Sequence, residues 1–160
     1  MMTITLNSDR LSDLGLTQSS VYVARFLGDK VSEENELPVS AILLPDFSSL
    51  SPAELERAPL IHLSAEELDM RMQLVKKQKA KQDIIVTNNG HAPLEISKLQ
   101  VFHPAVGVAL KKRLLQPGES TKLRVTIDRR ILNRSRRPLR LLMITNDPQH
   151  PKKEINILAK

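Results

Sequence analysis

Between Asp83 and Pro148 apolar and polar residues alternate over short runs, and turn-forming residues separate the runs, a pattern that leaves little room for anything but antiparallel β-structure. The cleanest stretch sets Leu123, Val125 and Ile127 against Arg124, Thr126 and Asp128, the two-residue period of a strand with one buried face. At the breaks, Asn88-Asn89-Gly90 offers a residue free to take positive φ, and Pro117-Gly118 fits the central positions of a type II turn. Asn146-Asp147-Pro148 cannot continue a ladder. Strands are expected at 60–64, 68–75, 82–87, 94–101, 106–110, 121–128, 139–145 and 154–159, which together complete a two-sheet sandwich. The strand at 139–145 is apolar on both faces, with Leu139, Leu141 and Met143 opposing Leu142 and Ile144, so it either lies buried in mid-sheet or offers one face to a contact.

Such a core has unusual constraints. Aromatic residues make up 2% of the 160 residues and Trp is absent, so Leu, Ile and Val must fill the interior. With no cysteine the chain has no disulfide, no thiolate metal site and no thiol catalysis, while the compartment stays open. No apolar run approaches the ~18 residues of a membrane-spanning helix. The opening MMTITLNSDR has neither a basic n-region nor an apolar core, so no signal peptide is expected there.

The N-terminal stretch suggests three short strands at 3–7, 21–25 and 38–44, separated by polar loops. TITLNSDRLS matches RVTIDRRILN of the C-terminal region in pattern, and the order of strands and loops that follows is alike, so residues 1–45 read as the last three strands of an incomplete second module. Three strands cannot bury Ile4, Leu6, Val21, Val23, Val39 and Ala41 by themselves. Each large apolar side chain left wet forfeits roughly 1.5–3 kcal/mol. The expectation is therefore that an upstream part of the same chain covers them, with Met1-Met2 an internal start, or that a protein partner or second copy donates strands. Residues 46–59 form the expected linker, with a short helix signalled by Ser51-Pro52-Ala53-Glu54, an N-cap, a proline at the first helical position and a capping-box glutamate. Residues 60–160 are the complete module.

Charge is divided unevenly. Met1–Asp69 holds four Lys/Arg and twelve Asp/Glu, a net of −8, and the remainder holds twenty and six, a net of +14. Arg129, Arg130, Arg134, Arg136, Arg137 and Arg140 fall within twelve residues, and guanidinium forks match phosphate and carboxylate geometry, so this loop is the candidate anion site. A solvated hairpin loop is the plainer reading. Nucleic acid is the lesser expectation, because one Tyr and three Phe, all outside the loop, leave nothing to stack bases there. His62, His91, His103 and His150 have neither helical i, i+4 partners nor carboxylates at ligand spacing, so no metal site is expected. No nucleophile elbow, phosphate loop or dinucleotide fingerprint occurs, and neither an enzymatic activity nor a cofactor is expected.

VTNNGHAPLEI, LLQPGES, RVTIDRR and MITNDPQHPKKEINILA, in that order, resemble the bacterial immunoglobulin-like modules grouped as domain of unknown function number fifteen-seventy-three, related to major-sperm-protein-like and cilium-associated sandwich domains. The resemblance covers roughly residues 60–160, and PDFSSLSPAELERAP is similar to the linker between two such modules in tandem. It implies an all-β, immunoglobulin-like antiparallel sandwich serving as a non-catalytic binding or spacer element of a larger protein of the periplasm or cell envelope, with the cytoplasm as the alternative. Members often carry Cys-Gly-Cys where this chain runs VFHPAVGVAL from Val101, so no redox or metal role transfers. Binding of nucleic acid or an anionic surface through 129–140 is the alternative function.

Overall fold

A computed structural model of the chain describes residues 3–132 and 137–159. Two compact units are present, Met1–Leu43 and Leu44–Lys160.

In the first unit a 3₁₀ turn at Ser8–Arg10 precedes β1 (Gly15–Tyr22) and β2 (Glu36–Leu43), which pair antiparallel as a two-stranded ribbon. The ribbon has an apolar face carrying Val21, Leu37, Val39, Ala41 and Leu43, and none of these is buried. Two strands stand here among the described residues where the sequence suggests three. Residues 3–7 are not a strand, and Ile4 and Leu6 remain 43% and 48% exposed. The strand expected at 21–25 instead occupies 15–22, because Gln18, Ser19 and Ser20, read as loop residues, sit in a ribbon whose faces are open to water and therefore tolerate polar side chains.

The second unit begins with α1 (Pro52–Glu56), where Ser51 and Glu54 form the expected capping box. The order then runs β3 (Ile61–Leu63), β4 (Glu67–Asp69), α2 (Arg71–Lys76), β5 (Lys79–Asn88), β6 (Leu94–Val101), β7 (Val106–Leu110), β8 (Leu114–Leu115), β9 (Ser120–Asp128), α3 (Arg129–Leu132), β10 (Arg140–Thr145) and β11 (Lys152–Leu158). One sheet has the strand order β4-β11-β10-β6-β8 and the other β3-β5-β9-β7. Pairing is antiparallel throughout except for β4 on β11. Between them lies an aliphatic core in which Ile84, Leu94, Leu123, Val125, Ile127, Leu141, Met143 and Ile155 are completely enclosed. In β9 the alternation is as the sequence reads, with Leu123, Val125 and Ile127 inward. In β6 the apolar positions 94 and 96 give way to 99 and 101, and a register shift opposite Ile144/Thr145 absorbs the odd residue, which keeps Leu99 against the core while Val101, at the end of the strand, stays 39% exposed.

The expected strand at 68–75 is corrected to a three-residue strand and a helix. Leu68, Met70 and Leu74 are buried, which suits either period, but Met72 is 75% exposed. Burial at 70 and 74 with 72 outward is the helical spacing, and the Asp69 carboxylate accepts the Arg71 N–H to start the turn. Strand β10 is the buried central strand of its sheet. Its outer residues Leu142 and Ile144 are enclosed, and the register sets Gln100, Lys98, Glu154 and Lys152 beside them on that face.

Candidate functional site

The turn residues of the second unit converge on one end of the sandwich. Asn88, wholly buried at the end of β5, accepts from the N–H groups of Leu60 and Gly90 at 3.3 and 3.0 Å and donates to the carbonyls of Ala92 and Leu115 at 2.8 and 3.0 Å. All four of its side-chain bonding directions are used. Asp147, also buried, follows β10 in the other sheet: its carboxylate accepts from the N–H of Ile61 at 2.9 Å, of Gln149 at 2.8 Å and of His150 at 3.1 Å, and its Oδ2 lies 3.2 Å from His150 Nδ1. Asn146 bridges to Glu95 N–H and Pro93 carbonyl at 2.7 and 3.1 Å. Consequently the chain entering the module at Leu60 and Ile61 is pinned by one side chain from each sheet.

Gly90 differs from its expected role. It does not take positive φ; a Cβ there would lie 2.4 Å from both Ala58 O and Leu60 N, so glycine is required for the close approach of the entering chain. Gly118 has φ 76°, and the Glu119 N–H donates to the Gln116 carbonyl at 2.9 Å across Pro117-Gly118. Against this end lies a groove of about 650 Å³ walled by Phe47, Leu50 and Ala53 on the helix side and Ala92, Asn146 and Pro148 on the loop side. Glu54, Glu56 and Arg57 rim it.

The candidate anion residues are scattered among structural tasks. Arg129 donates to the Leu74 carbonyl at 2.9 Å and thereby ties α3 to α2. Arg130 grips Asp128 with two donors, which holds that carboxyl down at about 2. Arg140 lies 4.9 Å over the Phe102 ring and 3.4 Å from Glu154. Arg137 is exposed, and Arg134 and Arg136 lie outside the described residues. The helix α3 was not legible in the sequence, although Asp128 before Arg-Arg-Ile-Leu is an acceptor placed for its first turn. On the outer face of β5 and β9, Asp83 is held below the usual carboxylate range by Arg124 at 2.8 Å, with Lys122 at 3.5 Å adding to the effect. His62 and His91 are exposed, and His103 is buried with its Nδ1 accepting the Ala105 N–H at 3.0 Å. Among the described residues no three His, Asp or Glu side chains gather as metal ligands, and no helix is long and apolar enough to cross a membrane.

Two facing antiparallel sheets, a first strand divided between them as β3 and β4, and a side-chain-bonded turn end define an immunoglobulin-like β-sandwich. The chain belongs to the HYDIN/CFA65/VesB-like Ig-like domain family, whose model matches residues 59–160. A solved protein of unknown function from Porphyromonas gingivalis W83 superposes with a TM-score of 0.70 at 23% identity, over 94% of this chain and 68% of that one, a likeness of fold. The secreted serine protease VesC from Vibrio cholerae aligns with a TM-score of 0.42 at 14% identity, over 77% of this chain and 26% of that one. No curated protein matches the sequence significantly.

Proposed function

We propose that the chain is a non-catalytic binding or spacer element of a larger bacterial envelope protein, of the kind grouped as domain of unknown function number fifteen-seventy-three, and that its first unit is the closing part of a second such module. One comparison within the chain carries this reading. In the complete module, β9 is followed by the capped turn α3 and then by the antiparallel pair β10 and β11. In the first unit, residues 3–7 are followed by a turn capped by Asn7, whose side-chain Oδ1 accepts the Asp9 N–H at 2.9 Å, and then by the antiparallel pair β1 and β2. In the TITLN/RVTID match, Ile4 and Leu6 stand where Val125 and Ile127 stand in β9. The latter two are fully enclosed between β5 and β7 in their sheet, whereas Ile4 and Leu6 have no flanking strands among the described residues and form none themselves.

The spacer role is supported by the double fastening of Leu60 and Ile61, which fixes the point where the chain enters the sandwich to both sheets. Hydrogen exchange on the intact chain tests the reading. Amides of β5, β9 and β10 are expected to exchange only through global unfolding, and those of β1 and β2 through local opening within seconds to minutes. Equal protection in both units would defeat the claim that the first is incomplete. The alternative, binding of nucleic acid or an anionic surface through Arg129–Arg140, is favoured by charge alone. A salt titration with duplex DNA, RNA and anionic vesicles separates it, since phosphate contacts weaken steeply as salt rises.

A further inference from the structure

Four strands end the sheets of the second unit, β4 and β8 in one and β3 and β7 in the other. Three of them are only two or three residues long, one of the ways an edge is kept from seating a further strand. The exception is β7, whose five residues Val-Gly-Val-Ala-Leu include no charge and no proline. Its backbone has a fixed sense. The Asp128 N–H donates to the Ala105 carbonyl at 3.0 Å, and continuing that alternation along the register sets Gly107 and Ala109 in bonded pairs with Thr126 and Arg124. The main-chain groups of Val108 and Leu110 therefore point away from β9, and among the described residues β7 pairs with no other strand. The Val106 carbonyl points the same way, while the Val106 N–H donates to the His103 carbonyl at 3.0 Å.

The side chains agree with the backbone. Val108 and Leu110 pack against the core but stay half-buried, whereas Val125 and Leu123, directly across the ladder, are completely enclosed. Gly107 and Ala109, on the outer face, are too small to screen the edge. Immediately beyond the strand the chain runs Lys111-Lys112-Arg113, all exposed. Lys112 is paired with Glu119, and the register continued past Leu110 sets Lys111 beside Lys122. The C-terminal end of this edge is thus positively charged.

We propose that the outer edge of β7 accepts one antiparallel strand from a partner polypeptide, a segment with apolar side chains at alternate positions preceded by two or three carboxylates. Every strand of the sandwich already has its place, so the occupant comes from outside the module. Main-chain pairing to Val108 and Leu110 supplies register, and the donor's apolar side chains cover the half-buried Val108 and Leu110. Antiparallel pairing, the sense used throughout this sheet, brings the donor's leading carboxylates beside Lys111 and Lys112. A second copy of β7 does not answer that charge, because the residues leading into it are His103-Pro104-Ala105. The proposal stands on the complete module and deepens the binding part of the function given above.

The test uses the intact chain and two synthetic peptides, Asp-Glu-Glu-Val-Thr-Val-Thr-Val and the same strand led by three lysines. The acidic peptide is expected to shift the Val108 and Leu110 amide resonances saturably and to slow their exchange about tenfold or more. The lysine peptide should bind at least about threefold more weakly, a difference that shrinks as salt rises. Val108→Pro removes an outward N–H without touching a bond to β9, and is expected to abolish the effects while the β5 and β9 amides stay protected. Lys111→Glu, an exposed change that leaves the fold alone, should reduce the preference for the acidic peptide. Because a five-residue strand binds weakly, the acidic sequence is also joined to the C-terminus of the chain through a flexible linker, raising its effective concentration to roughly millimolar. Absence of protection at Val108 and Leu110 in the tethered chain overturns the proposal, as does equal binding of the two peptides, pairing at β3 or β4, or self-association of the free chain through β7. Any of these leaves the spacer reading standing, since the exchange of β1 and β2 amides decides that separately.

Discussion

Replacing Asn88 with alanine removes a side chain that uses all four of its hydrogen-bonding directions inside the protein. The Leu115 carbonyl at the far end is buried and loses its donor, a loss of about 1–3 kcal/mol. The partners at Leu60, Gly90 and Ala92 are partly buried, so water replaces the lost bonds incompletely, at about 0.5–1 kcal/mol each. The expected destabilisation of Asn88→Ala is therefore about 3–5 kcal/mol, a large share of the ~5–15 kcal/mol that holds a domain folded. It should lower the melting temperature by roughly 15 °C or more in a module of about this size. Urea denaturation gives the number directly, with an unchanged m-value confirming that the native state is the same. Asn89→Ala, one residue on and exposed, is the control and should lie within about 0.5 kcal/mol of the parent. A loss below about 1 kcal/mol for Asn88→Ala would refute the claim that this side chain fastens the entering strand to the sheets.

Gly90→Ala brings a Cβ to 2.4 Å from two backbone atoms, and is expected to destabilise by about 1–3 kcal/mol through displacement of the Ala58–Leu60 chain, read by thermal denaturation. Gly118→Val meets no neighbour within 4 Å and acts through φ 76° alone, so it should cost about 1–2 kcal/mol, with Gly118→Asn milder; equal melting curves for all three would contradict the turn. Asp69 and Asp128 are each held at about 2, chiefly by hydrogen bonds from Arg71 and Arg130, against 3.8 when unpaired. Their contribution to stability is present above pH 3.8 and is lost as pH falls through about 2, so acid unfolding monitored between pH 5 and pH 1.5 should steepen in that window, and Arg130→Gln should flatten it. Arg129→Met keeps the stem and removes the bond to the Leu74 carbonyl, and should destabilise by about 1–2 kcal/mol, whereas an anion site there would show instead as lost binding with unchanged stability.

The alternation of Leu123, Val125 and Ile127 with polar neighbours was enough to place β9, and the same period located β5, β6, β7, β10 and β11 within a few residues. The capping box at Ser51 and Glu54 likewise announced α1, because the bonds that close it are local. Where a pattern was shared by two structures, the sequence was silent. Leu68, Met70 and Leu74 fit a strand and a helix equally, and only the exposure of Met72, a matter of what packs nearby, separates them. The arginines of 129–140 looked alike as a cluster, yet one serves a neighbouring helix, one a neighbouring carboxylate and one an aromatic ring. Gly90 was legible as a turn residue but not as a clearance, since its close neighbours lie some thirty positions earlier in the chain.

Local bonding and periodicity, which depend on residues a few positions apart, thus determined that this chain forms short antiparallel strands around an aliphatic core, with turns at Pro117-Gly118 and Asn146-Pro148. Tertiary structure alone decided that Asn88 and Asp147, fifty-nine positions apart and in different sheets, fasten the same entering segment, because that arrangement exists only once the two sheets face each other. It also decided the fate of like sequences. The pattern of TITLN and RVTID differs little, but among the described residues only the second has strands on either side of it, and a strand is held by its neighbours rather than by its own residues.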